Sequence, residues 1–290
     1  MTPRRSSEIG QRRSRQTPAV PIDAFTFRWW VDSAGHEWQK GVDSALRLVA
    51  RNVPGSSLKT YRLEDHPGLF RDFSTLAGKD AILQFANRYG TLKDTYSPME
   101  GVRGKGAIRQ LFGTSLAHWE REIEDMCVLI RLWESITDCN VKELARIVKW
   151  EGGGVGYKIS TPRREANVWL WLPSFGSPMP DLFKPDDVLL PARYALQAEI
   201  NARLADPEIG LMVPGLTWTP DLKQRITITP PNLLAGLWLQ FAQAVTGAYQ
   251  LKRCPGCGKY FQVGPGGRRE DAETCSNTCR QRKARNGGKR

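Results

Sequence analysis

The stretch 253–285, RCPGCGKYFQVGPGGRREDAETCSNTCRQRKAR, sets the reading of the whole chain. It opens with Cys254-x2-Cys257, runs through seventeen residues, and closes with Cys275-x3-Cys279. Zn²⁺ favours tetrahedral thiolate coordination, and a Cys-x2-Cys turn presents two ligands from one tight bend. Gly256 and Gly258 give that bend its backbone freedom. Two cysteines four apart fall on one face of a helix, so Cys275 and Cys279 complete the tetrahedron from a helix that begins there. Four thiolates fill the coordination shell, which makes the predicted ion a single structural Zn²⁺, since a catalytic ion keeps a position open. Four free thiols without a metal would invite oxidation for no gain. Tyr260 and Phe261 supply an apolar shelf for a module with little core of its own.

Past Cys279 the chain reads RQRKARNGGKR. Continued as a helix, it sets Arg282 and Arg285 on one face and Arg280 and Lys283 on a neighbouring one. Together with Arg268 and Arg269 from the spacer and Lys289 and Arg290 at the end, these are the predicted nucleic-acid contacts. The net charge of +12 sits entirely at the ends: residues 1–20 carry +4 and residues 251–290 carry +8. Between them, 26 basic side chains are balanced by 26 acidic ones. Any polyanion contact should therefore involve the ends. Four thiolates on one Zn²⁺ contribute about −2, which leaves the finger strongly basic. Neutralising roughly four to six duplex phosphates would give a slope of log K against log salt of about −3.5 to −5.5.

Outward from the finger, residues 21–250 read as a mainly helical domain with a small β insertion, and residues 1–20 as a disordered basic tail poor in apolar side chains. The expected fold class is mainly α with a small β component, ending in a treble-clef-like zinc finger over 251–290. Between Phe25 and Asn140 the pattern is mainly helical. Leu116, Trp119, Ile123, Met126, Ile130, Trp133 and Ile136 recur at three- and four-residue steps, so one helical face is buried. Cys127 beside that face and Cys139 near its end are read as packed thiols outside the metal site. Residues 80–90 form a shorter helix capped by Gly90, with Asn87 and Arg88 serving turn and helix-end hydrogen bonds. EGGGVG, YKIS and NVWLWL read as a turn and hairpin carrying Trp169 and Trp171, and the glycine spacing matches no phosphate loop. A helix over 186–206 and two strands, LMVPGLTWT and QRITIT, precede NLLAGLWLQFAQAVTGAYQ, which is apolar nearly all round and reads as the central helix. Its end leads straight to Cys254, so the finger is expected to pack on the domain.

The order of a helical domain and a four-Cys finger, with Cys254-Pro-Gly-Cys257, Cys275-Ser276 and the trailing basic helix, resembles the bacterial CGNR-type zinc-finger proteins, whose helical domain is called ABATE-like. The motif that names the family stands here as Cys279-Arg280-Gln281-Arg282. The resemblance implies a DNA-binding transcriptional regulator with a helical sensor or assembly domain. Cys-Ser-x-x-Cys-Arg also resembles the treble-clef finger of small bacterial gyrase-inhibitor proteins, which serves protein contact. A protein-binding adaptor or inhibitor therefore stays open, with Trp29, Trp30, Trp169 and Trp171 as interface aromatics.

DNA is preferred to RNA on the resemblance alone, and no oligomeric state is indicated. Three histidines, His36, His66 and His118, without a Ser-His-Asp, HExxH or nucleophile-elbow pattern, assign no catalytic residue. No apolar run approaches a membrane span and the basic N-terminus lacks an apolar segment after it. Cysteines crowded into two pairs suit a reducing compartment, so a soluble cytoplasmic protein without a membrane partner is expected.

Overall fold

The computed structural model describes residues 27–41, 43–51, 57–93, 113–151, 154–161, 164–170, 184, 186–210, 212–218, 224–247, 250–264 and 267–287. The predicted basic tail over 1–20 lies outside them.

Four short strands come first: β1 (Arg28–Asp32), β2 (His36–Lys40), β3 (Leu46–Ala50) and β4 (Leu58–Arg62). β1 pairs with β4 and β2 with β3, both antiparallel. The helical expectation between Phe25 and Asn140 therefore fails over 28–62. Trp29 and Val31 are buried while Trp30 between them is exposed, and a period of two is met by a pleated strand and not by a helix.

Helices then take over. They are α1 (Leu69–Ser74), α2 (Gly78–Tyr89), α3 (Leu116–Thr137) and α4 (Val141–Ile147), with the two-residue β5 (Thr114–Ser115) joining β3. α3 buries Trp119, Ile123, Met126, Ile130 and Ile136 as its spacing predicts, and Ser115 caps it by accepting from the His118 N–H. α2 ends at Gly90 with φ +88°, as read. Asn87 serves another element instead of its own helix end: its Oδ1 accepts the His36 N–H, tying β2 to α2. Cys139 departs from the packed-thiol expectation, for it is exposed and sits at φ +50° just past α3. Cys127 is half-buried.

The expected hairpin is part of a three-stranded antiparallel sheet, β6 (Val148–Glu151), β7 (Gly154–Thr161) and β8 (Arg164–Leu170). Trp169 lies on β8, and Trp171 falls outside the described residues. α5 (Leu189–Leu204) leads to the hairpin β9 (Val213–Trp218) and β10 (Gln224–Thr229). α6 (Leu233–Val245) follows, then β11 (Gln250–Arg253), β12 (Tyr260–Val263) and α7 (Asn277–Gly287).

α6 is the central helix the sequence implies. Every residue from Leu233 to Phe241 is buried. Its buried amide, Gln240, accepts the Phe70 N–H and donates to the His66 carbonyl, which fixes α6 against the start of α1. The resulting core runs through Trp29, Leu48, Phe73, Trp119, Leu132, Leu196 and Phe241. Each such side chain contributes roughly 1.5–3 kcal/mol on burial. Among the described residues no helix is long and apolar enough to cross a membrane.

Candidate metal centre and its basic surround

The turn 254–258 joins β11 to β12, in which Arg253 faces Tyr260 and Lys252 faces Phe261. Backbone bonds set it: the Cys254 N–H donates to the Lys259 carbonyl at 2.8 Å and the Gly258 N–H to the Cys254 carbonyl at 2.7 Å. Gly258 takes φ +74°, the left-handed value such a turn needs. The second pair is fixed by a helix start. Ser276 Oγ accepts the Cys279 N–H at 3.1 Å and the Ser276 carbonyl accepts the Arg280 N–H at 3.0 Å, so Ser276 caps α7 with Cys275 before it and Cys279 in its first turn. Gly256 lets turn and helix touch: a Cβ there would lie 2.7 Å from the Cys279 carbonyl oxygen.

These two local structures bring the four sulfurs of Cys254, Cys257, Cys275 and Cys279 within 4.8 Å of one another. Cys275 Sγ lies 3.5 Å from the sulfurs of Cys257 and Cys279. A tetrahedron with metal–sulfur bonds of about 2.3 Å has edges of about 3.8 Å. A disulfide would need about 2.05 Å, and all four cysteines are free. Burial raises the Cys254 thiol, but the N–H groups of Cys275, Gly256 and Cys257 and the Cys275 thiol outweigh it and bring it down to about 6. Burial and the surrounding sulfurs of Cys257, Cys279 and Cys254 push Cys275 up to about 12. Four sulfurs this close cannot all be anionic without a cation among them, and the group is thus arranged to hold a metal ion.

Around the sulfurs lies a small cluster of Phe261, Val263 and Ala272. The expected shelf of Tyr260 and Phe261 divides, because neighbours on a strand face opposite ways. Phe261 turns to the cysteines, while Tyr260 sits on Gly68 so closely that a Cβ there would lie 2.6 Å from Tyr260 Cβ. The Arg71 guanidinium lies 5.6 Å from the Tyr260 ring and 5.0 Å from that of Trp133. Leu251 packs against the main core. The finger is seated on the helical domain.

Of the predicted nucleic-acid contacts, Arg268, Arg269, Arg280, Arg282, Lys283 and Arg285 are exposed, while Lys289 and Arg290 lie outside the described residues. Lys283 pairs with Glu273 at 2.6 Å and Arg269 with Asp271 at 3.1 Å. Arg282 donates to the Gly256 carbonyl at 3.4 Å. Arg268, Arg280 and Arg285 pair with no carboxylate among the described residues. Sequence reasoning passed over Arg253 and Lys259, which flank the turn; only the fold shows Arg253, on the Gly258 carbonyl, and Arg282 of α7, on the Gly256 carbonyl, meeting at that turn.

Comparison with known proteins gives no match to a family model, a curated protein or a solved structure.

Proposed function

We propose that the chain is a zinc-finger nucleic-acid-binding protein, a DNA-binding transcriptional regulator whose helical domain acts as a sensor or assembly module. The observation that carries the reading is the set of exposed cations Arg268, Arg280 and Arg285, which pair with no carboxylate among the described residues, beside a closed four-thiol centre. Four soft sulfur donors with no open position suit one structural Zn²⁺, held by Cys254, Cys257, Cys275 and Cys279. Held by these four residues, such an ion would join the turn to α7. The joined surface presents guanidinium groups that replace counterions along a phosphate backbone. DNA is preferred to RNA on the resemblance to CGNR-type proteins.

The test is fluorescence anisotropy of labelled duplex and single-stranded oligonucleotides against zinc-loaded protein over a salt series, beside a variant lacking residues 280–290. Salt-sensitive binding that the truncation abolishes supports the reading; no binding at low salt sinks it. A second reading, contact with a protein partner, draws on Trp30 and Leu58, exposed at 37% and 41% and one diagonal step apart on the same face of the β1–β4 pair. Trp29 does not join them, being buried with its Nε1–H donated to the Tyr89 carbonyl. A partner that survives nuclease treatment and is lost with Trp30→Ser would favour that reading.

A further inference from the structure

The cations predicted from the sequence lie in the spacer, in α7 and at the end of the chain, yet others converge on the crease where finger meets helical domain. Arg253 Nε donates to the Gly258 carbonyl at 3.1 Å, and Arg282 of α7 reaches the Gly256 carbonyl of the same turn at 3.4 Å. Two guanidinium groups thus bracket one short turn. Lys259 leaves that turn immediately before Tyr260, whose ring is seated on Gly68. Two residues before Gly68, His66 meets the Tyr89 ring edge-on at 5.2 Å, and Arg88 lies 5.0 Å over the same ring. Arg282, Arg253, Lys259 and Arg88 therefore follow one another from the finger across the crease to the end of α2. All four are exposed, and none forms an ion pair among the described residues.

Their fields overlap on the titratable groups of the crease. Burial lowers His66, and Arg88 and Lys259 lower it further against the opposing Asp65. Desolvation raises the Asp72 carboxyl, while Arg88, Arg253 and Lys259 all draw it down. The cations outnumber the Asp72 carboxyl that Arg88, Arg253 and Lys259 share, and a polyanion laid along them relieves the repulsion that remains.

We infer that the nucleic-acid surface continues across this crease, with Arg282, Arg253, Lys259 and Arg88 forming one track for a phosphate backbone. Finger and helical domain then grip the same polyanion, and the seat of Tyr260 on Gly68 holds the two halves of the track in register. The inference rests on the nucleic-acid reading of the finger and adds to it a contact from the helical domain.

The experiment uses the full zinc-loaded chain and a labelled DNA duplex over about 50 to 200 mM salt. Arg88→Gln and Lys259→Gln, both at exposed positions, are each expected to reduce the magnitude of the salt slope by about 0.9 and to weaken binding about eightfold near 0.1 M salt, as Arg282→Gln does. Asp72→Asn is expected to tighten binding. Unchanged near-ultraviolet dichroism of each variant certifies the fold. If Arg282→Gln weakens binding while Arg88→Gln and Lys259→Gln leave the slope untouched, the track ends at the turn, and this inference falls while the finger reading stands. If the wild-type chain binds no duplex at low salt, the finger reading fails and the track with it.

Discussion

Gly256 carries no side chain because the backbone of Cys279 leaves no room for one. A Cβ at that position would meet the Cys279 carbonyl oxygen at 2.7 Å and its Cβ at 3.0 Å, so Gly256→Ala must push the first cysteine pair away from the second. Metal affinity is expected to fall about tenfold or more, on the order seen when the support of ligands is disturbed. Competition against a chromophoric chelator reads this directly, and an affinity equal to that of the wild type would show that turn and helix yield freely. The four ligands were legible in the sequence because their spacing alone fixes a turn and a helix face. The distinct duties of the two glycines were not. Gly258 serves a left-handed turn, as its φ of +74° requires, whereas Gly256 serves a close approach between segments far apart in sequence. The split between Tyr260 and Phe261 was within reach, since YFQV read as a strand alternates its faces.

α6 owes its place to its ends as much as to its apolar faces. Asn232 caps it, Oδ1 accepting the Ala235 N–H at 2.9 Å while Nδ2 donates to the Ile209 carbonyl at 2.5 Å, and the side chain is buried. Asn232→Ala removes the cap and leaves the Ile209 carbonyl without its donor, a loss of about 2–4 kcal/mol in all. Urea unfolding should show a lower midpoint with an unchanged m-value; an unshifted midpoint would mean that water replaces both bonds at no cost. α6 and α3 were legible because a long helical period sums many residues. β1 to β4 were not, since each has five residues and their partners come from other strands.

β2 adds a pH dependence of its own. His36 is buried on it, and burial lowers its pKa from 6.5 to about 4 against the opposing Asn87 and Asp32, with Arg51 lowering it further. The unfolded chain takes up a proton near 6.5 and the folded one only near 4, so the stability His36 contributes is complete above 6.5 and lost as the pH falls to 4. The loss is on the order of 3 kcal/mol. His118, lowered to about 4 by burial first and then by Lys93 and Arg121, acts in the same direction. His36→Gln should therefore lower the melting temperature less between pH 7 and pH 4 than the wild type suffers. Parallel acid profiles for the two proteins would rule this out.

The candidate metal centre and the core form separate clusters, one of the cysteines with Phe261 and Val263, the other of the residues around α6. They meet at the seat of Tyr260 and through Leu251. Removing the metal is therefore expected to act locally. The sulfurs lose the charge that holds them together, α7 loses its link to the turn, and Tyr260 loses the rigid strand that presses it onto Gly68. Amide exchange after chelation should quicken over 254–287 and at the start of α1, while α3 and α6 keep their protection. Tyr260→Ala in the metal-loaded chain should quicken exchange at the start of α1 alone, because the thiolates still hold the finger. Loss of protection throughout α6 on chelation would show that the finger is instead part of one cooperative fold with the core. The expected local response follows from the few contacts between the clusters among the described residues: a ring over one glycine, an arginine between two rings, and one leucine. A contact of that size orients the finger on the domain without making the stability of the domain depend on the ion.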